Sequence, residues 1–185
     1  FGAAESCAGV RLDGGTLNAL DGSQISYNVA AGPGGGLCVF GGQALLDGTT
    51  MTFNGAERGG AAYVTGGSLL ITNGYLGANS SNGPGAGVYN GPAGLLTLSH
   101  SAIADGVANT ALVTATGGAL HNEGGAEFFN AVIAANHAST GGGVLNLGSL
   151  SSVRSDVVQN SALNSGGGVA NLGVVEFDGG ALMNQ

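Results

Sequence analysis

Six near-copies of one glycine corner set the frame of this chain. They are GGGLCV at 34–39, GGAAYV at 59–64, GAGVYN at 85–90, GGALHN at 117–122, GGGVLN at 141–146 and GGGVAN at 166–171. The copies recur every 24 to 26 residues, except for one interval of 32 between 85 and 117. A fixed period in the twenties predicts a solenoid, in which each repeat buries its apolar face only against its neighbours. CAGVRL at 7–12 aligns as a seventh, degenerate copy. Coils of one domain spanning 1–185 are therefore expected to start near residues 7, 34, 59, 85, 117, 141 and 166.

Three residues after each start stands an apolar side chain: Val10, Leu37, Ala62, Val88, Leu120, Val144 and Val169. Strand side chains alternate, so this column points inward and the next points outward. That outward column is Arg11, Cys38, Tyr63, Tyr89, His121, Leu145 and Ala170. A second strand supplies Leu17, Leu45, Leu69, Leu96, Phe128, Leu150 and Val175 at nearly corresponding places. A third apolar position precedes a polar one: Ile25 before Asn28, Met51 before Asn54, Leu76 before Asn79, Ile103 before Asp105, Ile133 before Asn136 and Val157 before Asn160.

Helix is a poor competitor, because glycine costs about 1 kcal/mol relative to alanine in a helix and no long segment escapes it. The expected fold is all-β, a right-handed parallel β-helix of about seven coils with three short strands each. Its length would be about 34 Å at ~4.8 Å per coil. Two asparagine columns are expected as structural ladders: Asn28, Asn54, Asn79, Asn136 and Asn160 in one, Asn90, Asn122, Asn146 and Asn171 in the other. Asparagine tolerates the left-handed conformation of a corner, and stacked amides bond one another.

The repeats resemble the polymorphic outer membrane protein type of β-helix repeat. The likeness rests on GGAL at 117–120 and on an aliphatic-x-x-Asn later in each coil, as in Ile133-Ala134-Ala135-Asn136, where that family has Phe. It covers essentially the whole chain. The resemblance implies a β-helix in a secreted or surface-displayed protein of a bacterium or archaeon, with adhesins and passenger domains among its kin.

Composition restricts the partners. The chain has 39 glycines in 185 residues, no lysine, three arginines against eleven acidic residues, and a net charge of -8. That balance argues against nucleic acid, whose phosphates need basic side chains, and against a polybasic membrane anchor. No apolar run reaches the roughly 20 residues of a transmembrane helix. A chain that begins at Phe1 reads as a processed product or an excised piece. Cys7 and Cys38 lie one coil apart but four columns offset, so regular stacking does not bring them within the ~7 Å of a disulfide. An irregular first coil, two free thiols and an intermolecular bridge remain open.

No catalytic residue, metal ligand or cofactor is expected. The acids are spread among turns, and only Glu123 and Glu127 share a coil with a titratable partner, His121. A polysaccharide-active enzyme built there is a remote alternative, since such chemistry needs converging acids. Tyr63 and Tyr89 form an outward stripe fit for a sugar ring or a partner protein. The overlong coil holds an insertion within 106–116, which reads first as a tolerated surface loop and alternatively, through its apolar Leu112 and Val113, as a contact loop.

The terminal coils carry no visible cap, and residues 166–185 with the six before the first coil make up about one period. Phe1, Asn184 and Gln185 are therefore expected at a self-contact. The favoured function is an extracellular structural subunit stacking head to tail into a filament. The alternative is a surface adhesin or passenger fragment that binds a glycan or a surface protein.

Overall fold

The computed structural model describes residues 4–108 and 115–183. Within them the chain is a parallel β-solenoid of seven coils without a helix. Phe1, Leu112, Val113, Asn184 and Gln185 lie outside the described residues.

Each coil has four sides. Side A begins with Val10–Leu12 and Leu37–Val39, and side B with Thr16–Ala19 and Gln43–Asp47. Side C begins with Gln24–Ser26 and Thr50–Thr52, and side D contains Gly55–Ala56 and Ser80–Ser81. In coils 3 and 4 the strands Ala62–Thr72 and Val88–Ser99 pass unbroken through the A–B corner. Sides A and B thus form one 12-stranded sheet, with a 7-stranded sheet on C and a 5-stranded sheet on D. Equivalent strands pair in parallel one coil apart, so backbone hydrogen bonds run between coils: Val10 N–H to Gly36 at 2.8 Å, Leu37 N–H to Ala61 at 2.9 Å. No coil satisfies its own backbone, and stacking is obligatory.

Inward-facing columns of mostly apolar residues fill the tube. Two lie on side B: Leu17, Ala44, Leu69, Leu96, Ala126, Leu150, Val175, and then Ala19, Leu46, Ile71, Leu98, Phe128, Ser152, Phe177. Leu45 therefore faces outward and Phe128 belongs to the second column, contrary to the sequence expectation. A shift of one residue moves a strand side chain to the other face, and the A–B corner differs in length between coils. Phe128 is completely buried, and the small Ser152 in the next coil leaves room for its ring.

The A–B corner is built in two ways. Coils 1–3 use a glycine at positive φ, such as Gly42 at 80°, after an aliphatic residue. From coil 4 onward an asparagine turns inward there and bonds the corner itself. Asn122 donates from Nδ2 to Asn146 Oδ1 at 2.7 Å, to the Ser149 carbonyl at 3.0 Å and to the Gly124 carbonyl at 3.2 Å. This change explains why Leu12, Val39 and Val64 give way to Asn90, Asn122, Asn146 and Asn171. Asn90 Oδ1 is buried without a partner because its neighbour in coil 3 is Val64.

At the D–A corner the first glycine of each motif has positive φ, 63° at Gly117. The second glycine answers a different need. A Cβ on Gly142 would run into the carbonyl oxygens of Ser161 and Gly167, which belong to the turns stacked on it.

Candidate functional site

The D–A corner decides what side A can present. After the first glycine the chain curls so that the residue four places on covers it. A Cβ on Gly34 would strike Cys38 Sγ, and one on Gly166 would meet the Ala170 side chain. The column read as outward is therefore tucked beneath the corner. Tyr89 and His121 are each only 6% exposed, and Cys38 is fully buried.

The same curl joins the cysteines. Cys7 occupies the first-glycine position of coil 1, since Ala8 N–H bonds the Gly34 carbonyl at 3.0 Å and Cys7 has a φ of 52°. Its side chain meets Cys38, which covers Gly34 in the coil below, and the two form a disulfide with a Cα separation of 5.5 Å.

The rings of this column stack on one another. Tyr63 and Tyr89 lie 5.1 Å apart and Tyr89 and His121 5.3 Å apart, both nearly parallel. Phe40 packs edge-on against Tyr63 at 6.1 Å, and the Arg11 guanidinium lies 4.7 Å from the Phe40 ring. Tyr63 and His121 take both faces of the buried Tyr89 ring, so Tyr89 packs and offers no open ring face.

The polar tips converge at one end of the column. His121 Nδ1 lies 2.8 Å from Thr116 Oγ1, and Nε2 lies 3.1 Å from Glu123 Oε1. Glu123 also acts on the Tyr89 hydroxyl. Burial holds His121 below the usual histidine range, opposed by Glu123. Burial, with Glu123 as the next cause, pushes Tyr89 up to about 12. These tips open on a depression of about 340 Å³ bordered by Glu57, Arg58 and Asn82.

Thr116, His121 and Glu123 follow the order hydroxyl, imidazole, carboxylate of a nucleophilic chain. Such a chain also needs donors for a developing oxyanion. The nearby N–H groups of Gly117, Gly118 and Ala119 are spent on Thr140, Gly141 and Gly143 of the next coil. The network ties Thr116, at the end of coil 4, to His121 and Glu123 in coil 5. Glu127 does not join it: it stands on side B between Thr97 and Ser151. His100 bonds Ser99 and Asn130, and His137 bonds Ser161. Among the described residues no group of three or more His, Cys, Asp or Glu is placed to hold a metal ion.

The asparagine columns meet as hydrogen-bonded ladders. On side A, Asn90 donates to Asn122 at 2.8 Å, Asn122 to Asn146 and Asn146 to Asn171 at 2.7 Å. At the C–D corner Asn28 donates to Asn54 at 3.0 Å, Asn54 to Asn79 at 3.1 Å, and Asn136 to Asn160 at 2.9 Å. Coil 4 interrupts this second ladder. Gly106, not Asp105, fills the position, and its N–H donates to Asn136 Oδ1 at 2.9 Å.

One feature was missed from the sequence. Tyr27 and Phe53, each just before a ladder asparagine, project from the C–D corner as a stacked pair with ring centres 5.0 Å apart. The repeated aromatic-Asn step was its available signal. No protein-family model, no curated protein and no solved structure matches the chain.

Proposed function

We propose that this chain is a non-enzymatic structural unit of an exported or surface-displayed assembly, stacking head to tail through its end coils. The supporting observation is a core left open. Phe177 and Leu182 stand in interior columns whose members in coil 5, Phe128 and Ile133, are completely buried, yet they are 43% and 54% exposed.

A coil of the same kind would continue each column at coil spacing. Further residues of the same polypeptide and a second copy are the two possible sources, and a second copy fits well. Its coil 1 sets Leu17 over Val175, the small Ala19 over Phe177 and Ile25 over Leu182. The Phe177–Ala19 step repeats the large-on-small packing of Phe128 on Ser152. Glu176 falls over Asn18 and Asp178 over Leu20, so neither carboxylate meets a like charge. The side A ladder stops at this junction, where Asn171 meets Leu12, as it starts where Asn90 meets Val64. Such a heterologous contact does not close on itself and grows an open fibre.

The Cys7–Cys38 disulfide supports an oxidising compartment, where such bonds persist. The resemblance of GGAL at 117–120 and its companions to polymorphic outer membrane protein-type repeats points the same way. The test is the oligomeric state of the purified chain. Rods one solenoid wide that lengthen with concentration are expected, with Phe177→Asp staying monomeric; a chain monomeric at every concentration overturns the reading.

A further inference from the structure

The C–D corner takes the left-handed conformation in successive coils, and alanine suffices there: Ala78 has φ 51° and Ala135 φ 54°. Tyr27 and Phe53 hold the same conformation at 60° and 55°. Positive φ is uncommon for bulky residues and costs free energy. Both rings are also turned to water, 74% and 52% exposed. The fold requires this backbone conformation but not an exposed ring, because the alanine coils turn the same corner.

Two residues beyond the rings the chain enters side D. There a groove of about 430 Å³ runs across coils 1–4, lined among others by Val29, Gly55, Ser80, Asn82 and Val107. Its volume lies in the range of small-ligand sites. Gly55 leaves its floor open: a Cβ there would lie 3.2 Å from Ser80 Oγ. On the other side of the rings the hydroxyls of Ser26 and Thr52 bond each other at 3.0 Å.

We propose that the Tyr27–Phe53 ridge and the side D groove form a binding site for a neutral saccharide. The chemistry selects this class. The exposed aromatic surface left by the stacked pair suits the C–H face of a sugar ring, while Ser80, Ser26 and Thr52 offer hydroxyls for its polar rim. Among the described residues no ionisable side chain lines the groove, which disfavours anionic polysaccharides and cationic peptides alike. An extended peptide that adds as a strand needs a free sheet edge. The groove lies on the face of a sheet whose strands are already paired on both sides, as Ser80–Ser81 is with Gly55–Ala56 and Val107–Ala108.

The test titrates the purified chain with maltohexaose, cellohexaose and chitohexaose, with polygalacturonate and an uncharged apolar decapeptide alongside, following amide chemical shifts. At least one neutral hexasaccharide should bind and move side D resonances. The Tyr27→Ala/Phe53→Ala double variant should weaken that binding about tenfold or more, the loss of two ring contacts. It should remain folded, since Ala78 and Ala135 occupy the same corner, and Leu95→Ala on side B should bind as the parent does. The proposal is overturned if no neutral saccharide binds at millimolar concentration, if the double variant binds unchanged, or if only polygalacturonate or the peptide binds.

Discussion

Cys7 and Cys38 lie 5.5 Å apart between Cα atoms although they occupy positions zero and four of successive corners. The corner folds position four back over position zero, and this bend also buries Tyr89 and His121. A cross-link enclosing about 30 residues is worth roughly 3–4 kcal/mol in the chain-entropy account. Because coils contact only their neighbours, removing it should loosen coil 1 first. Hydrogen exchange on the Cys7→Ala/Cys38→Ala variant should show faster exchange at Ala8–Val10 and little change at Val144–Asn146. Uniform loss along the stack would contradict this.

The side A ladder should be strong in its middle and weak at its end. Asn122→Ala removes the acceptor of Asn90 and strips donors from Asn146 and the Ser149 carbonyl, and all three asparagines are completely buried. Stranded buried groups cost about 1–3 kcal/mol each, so a loss of about 3 kcal/mol or more is expected. Asn171→Ala, on an exposed rung, should cost about 1 kcal/mol. Chemical denaturation of the two variants makes the comparison.

Ser152 carries a buried hydroxyl with no partner, between Phe128 and Phe177 in its column. Ser152→Ala removes an unpaired polar group at little cost in volume. It should leave stability unchanged or raise it by up to about 1 kcal/mol. A measured loss of more than ~1 kcal/mol would mean that the hydroxyl has a partner in solution.

Two titrations follow from the buried tips. Tyr89 should ionise near 12, so the phenolate absorbance that appears there should be missing from Tyr89→Phe. Stability from this group is whole below about 10 and is lost as pH rises through 12. His121 works at the other end. Its native value is depressed, so the unfolded chain binds more protons in the window from that value up to about 6.5. It therefore destabilises the fold increasingly as pH falls below about 6.5, levelling off under the native value. His121→Gln should flatten this part of the acid limb.

The coil count, the parallel stacking and the corner asparagines were legible because they depend on period, and period survives in residue spacing. Direction at a corner does not. Counting columns along a straight strand placed Cys38, Tyr89 and His121 outside, whereas the curl over the first glycine turns them in. Leu45 was misplaced because the larger of two adjacent apolar residues was read as inward, whereas the register puts Ala44 in line with Leu17 and Leu69. Tyr27 and Phe53 went unread because their strain is a backbone property, invisible until φ is known. Asp105 was set in the polar column that holds the ladder asparagines of other coils, while the register gives that place to Gly106.

Sedimentation velocity of the purified chain over a hundredfold concentration range, with electron micrographs of the same samples, tests the central claim most directly. Stacking through the open core predicts a rising series of head-to-tail species, rods of constant width, and their loss in both Phe177→Asp and Ala19→Phe. A single monomeric species throughout, or assembly that survives both substitutions, would contradict it.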